Sequence, residues 1–375
     1  MLIRGNEKIL GKILALVLNS SQSKTPCGGD LWVQATKSAI QRLVEENYAI
    51  ISSLGMATWE LPIFLVSKLN GNHVIISPVF VGENVDRVYQ NTLCEFGLDE
   101  NSTVMVFVES SLKSNSPKIN WPARDKEAME LAQVIAPISI REGGRLDKML
   151  ANFTTKINNA YRTDFRFGVS HPAHYTKSSA KIDFKKWNHI AHWTKTRIGP
   201  WPGELKRDYY AGLVNSGERY RGNAFATLLR IIGEKKIRAS SEKIREKSKV
   251  VGFSSASPNR IIEMMRWCPK KVNWNFEPYG IAIDKEYAAS IGIKPVLYGD
   301  DKDYAHLAEC EKPFFHGRGR ETVDWTAEQE WRHLGDLDLS IIPQDKISYF
   351  VWNRQEAEIV SGLISGTVHS FSIDL

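Results

Sequence analysis

Cysteines at metal-ligand spacing are missing from this sequence. Its four, Cys27, Cys94, Cys268 and Cys310, are widely scattered, which argues against a zinc site and for reduced thiols in a cytoplasmic protein. A long apolar run is missing too. The one that follows Met1 is broken by Lys12 and again at Asn19, so neither a membrane span nor a targeting segment is expected. No Gly-x-Gly-x-x-Gly occurs, which removes the ordinary dinucleotide fingerprint.

What is present belongs to an ordinary globular chain, with 42% hydrophobic and 25% charged residues. At 375 residues it exceeds a comfortable single core, so two domains are expected. The net charge of +6 is unevenly spread. Residues 1–150 carry 15 basic and 16 acidic side chains, residues 151–250 carry 21 and 8, and residues 251–375 carry 13 and 19. So basic a middle block suggests contact with a polyanion, nucleic acid included; equally, it neutralises the acidic last third.

In the first part, apolar runs at Ile13–Asn19, Ala49–Leu54, His73–Pro78, Thr103–Glu109 and Val134–Ser139 read as buried strands. Helical stretches near Leu31–Glu46 and Arg124–Gln133, and another after Gly55, alternate with them. The pattern predicts an α/β domain, a doubly wound parallel sheet over residues 1–155, with ligands at the carboxyl ends of its strands. Those ends are the loops around Ser20, Gly55 and Gly143. The glycines Gly28 and Gly29 beside Ser20, Ser21 and Ser23 would let a phosphate approach closely, or simply allow a turn.

The order of these motifs resembles the nucleotide-sensing Rossmann superfamily that includes the DNA-processing protein DprA and the lysine-decarboxylase-like LOG enzymes. The residues that carry the likeness are Asn19-Ser20-Ser21, Ser52-Ser53-Leu54-Gly55, Arg124-Asp125-Lys126 and the Gly143-Gly144 turn. The resemblance implies a nucleotide-derived ligand held by Ser20, Ser21, Gly55, Arg124, Gly143 and Gly144, with phosphate at a helix N-terminus. The glycine-rich turn with a following glutamate that marks the catalytic LOG enzymes is absent, Asp147 being the nearest carboxylate. Binding or sensing is therefore expected here, rather than hydrolysis.

Residues 156–186 read as a basic connector with interleaved aromatics (Tyr161-Arg162-Thr163-Asp164-Phe165-Arg166-Phe167), suited to stacking on a single strand or to docking domains. Residues 187–375 predict an α+β domain with a mixed sheet. Its expected strands are Val250–Ser254, Tyr279–Asp284, Pro295–Tyr298, Ile347–Trp352 and Thr367–Ile373. Helices are expected at Tyr209–Val214, Gly222–Gly233 and Glu356–Leu363.

The densest chemistry lies in Trp325-Thr326-Ala327-Glu328-Gln329-Glu330-Trp331-Arg332-His333. Strand alternation would set Glu328 and Glu330 on one face, where two like charges need a cation or a substrate hydroxyl between them. A catalytic carboxylate site looks like this, and so does a strand answered by a nearby arginine. Read after His192-Trp193-Thr194, Phe253-Ser254-Ser255 and Tyr279-Gly280-Ile281, the stretch closes an order that resembles abortive-infection proteins of the AbiGi type. That order also has the layout of the ADP-ribosyltransferases.

This second resemblance implies a bacterial defence or toxin effector that uses NAD as substrate, by ADP-ribose transfer or NAD cleavage. Glu330 would carry the reaction, Glu328 would assist, and His192 would hold a ribose hydroxyl. Thr194, Phe253, Ser254, Ser255, Tyr279 and Arg332 would line the NAD pocket. The chemistry fits, since glycosidic cleavage builds positive charge on the ribose that a carboxylate stabilises. Two other readings stand beside it. One is a non-catalytic single-stranded nucleic-acid-binding protein. The other is a metal-dependent nuclease using Asp300, Asp303, Glu328 and Glu330. Expected partners are a nucleotide-derived ligand, nucleic acid through the 151–250 block and a second copy of the chain, with no membrane. The NAD reading requires His192, Ser254, Tyr279 and Glu330 to converge on one cleft.

Overall fold

A computed structural model describes residues 2–22, 25–79, 82–109, 117–165, 175, 187–217, 220–241, 244–268, 273–318 and 326–372. Trp325 and most of the basic connector, Arg166 and Phe167 among them, lie outside the described residues. The chain forms two compact units. The first is Met1–Pro172 with Gly199–Arg221, and the second is Ala173–Ile198 with Gly222–Leu375. A single break within 156–186 therefore does not describe the organisation, because residues 199–221 return to the first unit.

Among the described residues the first unit holds six strands: β1 (Leu2–Gly5), β2 (Leu14–Asn19), β3 (Ala49–Ser53), β4 (Asn72–Val79), β5 (Thr103–Glu109) and β6 (Val134–Ser139). Their order across the sheet is β1-β5-β4-β3-β2-β6. β2 to β6 are parallel, as their continuous apolar runs require, and β1 joins the edge antiparallel to β5. The helices are α1 (Leu31–Glu45), α2 (Ala57–Lys68), α3 (Val85–Phe96), α4 (Pro117–Leu131), α5 (Arg145–Leu150) and, from the returning segment, α6 (Lys206–Asn215). Alternate strand residues face two cores. Ala15, Val17, Ile50 and Ile75 pack with α1, α2, α3 and α6, while Leu16, Leu18, Ile51 and Ile76 pack with α4 and α5.

The second unit is built on a mixed seven-stranded sheet. Its strands are β7 (His189–Trp193), β8 (Val250–Ser254), β9 (Gly280–Asp284), β10 (Lys294–Pro295), β11 (Glu330–Leu334), β12 (Ile347–Val351) and β13 (Thr367–Ser370). They lie in the order β10-β11-β8-β7-β9-β12-β13, with only the last pair parallel. The helices are α7 (Ala224–Glu234), α8 (Pro258–Met264), α9 (Lys285–Ser290), α10 (Asp301–Ala305) and α11 (Arg354–Ser361). One face buries Ile190, Val251, Phe253, Tyr279 and Ile281 against α7, and the other buries Ala191, Trp193, Ala282 and Phe350 against α8. Among the described residues no helix is long and apolar enough to cross a membrane.

Candidate functional site

In the first unit β3 lies on one side of β2 and β6 on the other, so the loops leaving β2 and β6 diverge at a topological switch point. The two loops are stitched at their base. Ser20 N–H donates to the Ser139 carbonyl at 2.9 Å, and Arg141 N–H donates to Ser20 Oγ at 3.0 Å. Above this stitch opens a cleft of about 380 Å³. Asn19, Ser20 and Ser21 line it from β2, Met56 and Trp59 from the start of α2, and Trp121, Arg124 and Asp125 from α4. Arg141, Gly144, Arg145 and Leu146 complete it from the β6 side.

Arg124 is 1% exposed. Its guanidinium lies 4.5 Å from the Trp59 ring centroid and 5.6 Å from that of Trp121. Nε and Nη2 donate to Asp125 Oδ1 at 2.9 and 2.7 Å, and Nη1 reaches the Leu54 carbonyl at 3.3 Å. The other oxygen of Asp125 takes the Arg145 guanidinium. Burial pushes the Asp125 carboxyl upward, and its two arginines pull it back. Burial likewise draws Arg124 downward against Asp125, but a guanidinium keeps its charge in a protein. The lining therefore sets three guanidiniums, Arg124, Arg141 and Arg145, against one carboxylate.

Of the residues expected here, Ser20, Ser21, Arg124 and Gly144 line the cleft. Gly55 and Gly143 do not line it; they sit in turns next to lining residues, with φ of 97° and 64°, where a side chain would be strained. Asp147 serves the backbone, accepting from Gly143 N–H at 3.0 Å, and α5 is only six residues long. Asn19 is held by its amide nitrogen, which donates to Thr36 Oγ1 at 2.9 Å, while its Oδ1 is buried with no protein partner. Trp59, Trp121, Arg141 and Arg145 had drawn no role from the sequence. The available signal was Trp121-x-x-Arg124, which puts an indole and a guanidinium on one helix face.

The second unit does not assemble the residues expected to bind NAD. His192 shares the face of Ile190, its ring 5.8 Å from that of Phe253, and Tyr279 packs in the same core. Ser254 and Glu330 pair directly across β8 and β11, and Ser254 also pairs with Ala191, which puts both on the opposite face. His192 Nδ1 bonds the Gly252 carbonyl at 2.8 Å, and burial lowers its pKa. Thr194 Oγ1 donates to the Ala224 carbonyl at 2.9 Å. Ser254 Oγ donates to the Glu328 carbonyl, Ser255 Oγ to Gln329 Oε1 at 3.1 Å, and Tyr279 OH to Glu356 Oε1 at 3.0 Å.

Glu330 is engaged by Arg332, Nε to Oε1 at 2.8 Å and Nη2 to Oε2 at 3.2 Å. The remaining fork of Arg332 holds the carbonyls of Pro313 and Phe315, both at 2.8 Å. Glu328 does not share a strand face with Glu330. It ends a 3₁₀ turn, and Gln329, at φ 46°, separates it from β11. Asp300 and Asp303 form the capping box of α10, and Asp301 pairs with Arg245. No cluster of three metal-ligating side chains occurs among the described residues. Within the basic block, Lys206, Arg207, Arg221, Arg230, Arg238 and Arg245 each meet a carboxylate.

No family model and no curated protein matches the chain. A solved structure similar to it is DNA processing protein A from Helicobacter pylori, a protein described for its single-stranded DNA binding mode. The identity is 12% and the TM-score 0.31, over 44% of this chain and 74% of that one.

Proposed function

We propose that the first unit is a nucleotide-binding module that takes a phosphorylated nucleoside in the switch-point cleft. The carrying observation is the buried Arg124, held between Trp59 and Trp121 in a lining with three cations and one anion. Arg141 and Arg145 suit a phosphate, and the half-buried indole of Trp121 offers flat apolar surface to a base. The volume is that of a small-ligand pocket.

Binding without turnover is the favoured reading, because the one carboxylate of the lining, Asp125, is tied to two guanidiniums. An NAD-cleaving centre in the second unit is left out of the proposal. His192 and Tyr279 lie across the sheet from Ser254 and Glu330, and Glu330 is paired with Arg332. The test is calorimetric titration of the wild type, Arg141→Ala and Trp121→Ala with AMP, ADP and NAD. Saturable binding that each substitution weakens about tenfold is expected, the worth of one charge-assisted bond or stacked ring. Absence of binding by all three nucleotides overturns the proposal.

A further inference from the structure

Residues 199–221 interrupt the chain of the second unit and fold into the first. Their helix α6 buries Tyr209, Tyr210 and Leu213 in the core shared with α1, α2 and α3. From there it reaches two loops that carry cleft residues, the β2–α1 loop with Ser20 and Ser21 and the β3–α2 turn with Met56. At its start, Lys206 Nζ and Tyr210 OH donate to Glu60, at 2.6 Å to Oε1 and 2.9 Å to Oε2. The same Oε1 accepts from Gly55 N–H at 2.8 Å, in the turn that carries Met56 to the cleft. Glu60 is thus a buried carboxylate with two donors from α6 and one from the β3–α2 turn.

Just beyond the other end of α6, Gly28 N–H donates to Ser216 Oγ at 3.0 Å and Gly29 N–H to the Gly217 carbonyl at 3.1 Å. A Cβ on Gly28 would lie 2.0 Å from the Ser216 carbonyl oxygen and 2.6 Å from that of Val214. The glycine pair therefore serves contact with α6, where the sequence suggested phosphate. One helix pins the β2–α1 loop and the β3–α2 turn together.

The chain on either side of this segment is fixed within the second unit. Arg197 N–H donates to the Gly222 carbonyl at 2.8 Å. Thr196 gives both its N–H and its hydroxyl to the buried Glu277, and Asn223 caps α7.

We propose that α6 is a coupling strap, which ties the state of the cleft loops to the Thr196–Arg197 and Gly222–Asn223 ends of the second unit. Glu60 is its positioning residue and Gly28 its contact point. A close-packed helix bonded to both loops cannot follow one loop without loading the other. The ligand part of the test rests on the nucleotide reading, and the variant part does not.

Hydrogen exchange on the full chain decides it. In ligand-free Gly28→Ala and Glu60→Gln, exchange is expected to rise about tenfold in 54–58 and in 25–30 alike, as for loss of a buried bond, while β3 keeps its protection. A folded Gly28→Ala with wild-type exchange at 54–58 overturns the coupling. Should Gly28→Ala lose β3 protection, Glu60→Gln is judged in the same way at 25–30. With millimolar ADP on the wild type, joint protection of 54–58, 205–217 and 195–198 is the supporting result. Protection of 54–58 without 205–217 overturns it. No protection anywhere counts against the nucleotide reading, and the variants alone then decide the strap.

Discussion

Arg332 shows how a residue in a functional-looking motif can be spent on architecture. It is 2% exposed, and its fork satisfies Glu330 and two carbonyls that would otherwise face the interior with one bond fewer. Arg332→Met is expected to cost about 3 kcal/mol in urea unfolding, the range for breaking a buried pair from one side. Glu330→Gln, which keeps an acceptor, is expected to cost about 1 kcal/mol. Equal losses would contradict this assignment. Alternation along β11 sets Glu330 on the face away from Trp331, but no spacing rule says which cation answers a carboxylate. His73 on β4 makes a second residue-scale case. Burial lowers its imidazole to about 4, and its Nδ1 has no partner. The folded protein holds His73 neutral, whereas the unfolded chain protonates it near its ordinary 6.5. Stability from this group is therefore complete above pH 6.5, falls as pH drops toward 4, and is flat below. The loss approaches about 3 kcal/mol. His73→Val should remove that slope when urea midpoints are compared between pH 7 and 4; an unchanged slope would show that His73 does not set it.

Elements differ in how plainly they could be read. The parallel strands of the first unit were legible to within a residue or two, because a strand buried on both faces must be a continuous apolar run. β1 was not, being four residues at an edge. Nor was the home of α6, whose sequence position points to the second unit while Tyr209, Tyr210 and Leu213 fill the core of the first. The acidic turn at Asp300 was legible as composition and misleading as chemistry. Asp300 accepts from the N–H groups of Lys302 and Asp303, which start α10, and these bonds lower its pKa. Asp300→Ala should speed exchange across 301–305, while Mg²⁺ leaves the wild-type melting temperature unchanged. A Mg²⁺-dependent rise that Asp300→Ala abolishes would return these carboxylates to metal binding.

For the whole molecule, the cleft follows from topology more than from any motif. Where β2 sits between β3 and β6, two loops must part, and the residues at their tips inherit an opening. Sequence order gave the loops around Ser20, Gly55 and Gly143. It could not give the Trp59–Arg124–Trp121 stack, since its members come from two helices far apart in sequence that meet only in the folded sheet. The reverse holds in the second unit. There the order of His192, Ser254, Tyr279 and Glu330 suggested a site, and sheet alternation sent them to opposite faces.

The central claim is tested most directly by where a nucleotide attaches. Photolabelling of the full chain with 8-azido-ADP, followed by peptide mapping, should mark 54–59, 121–125 and 139–146, in competition with unmodified ADP and much weakened in Arg141→Ala. Label concentrated in 187–198 or 222–372, or label that ADP does not displace, would contradict it.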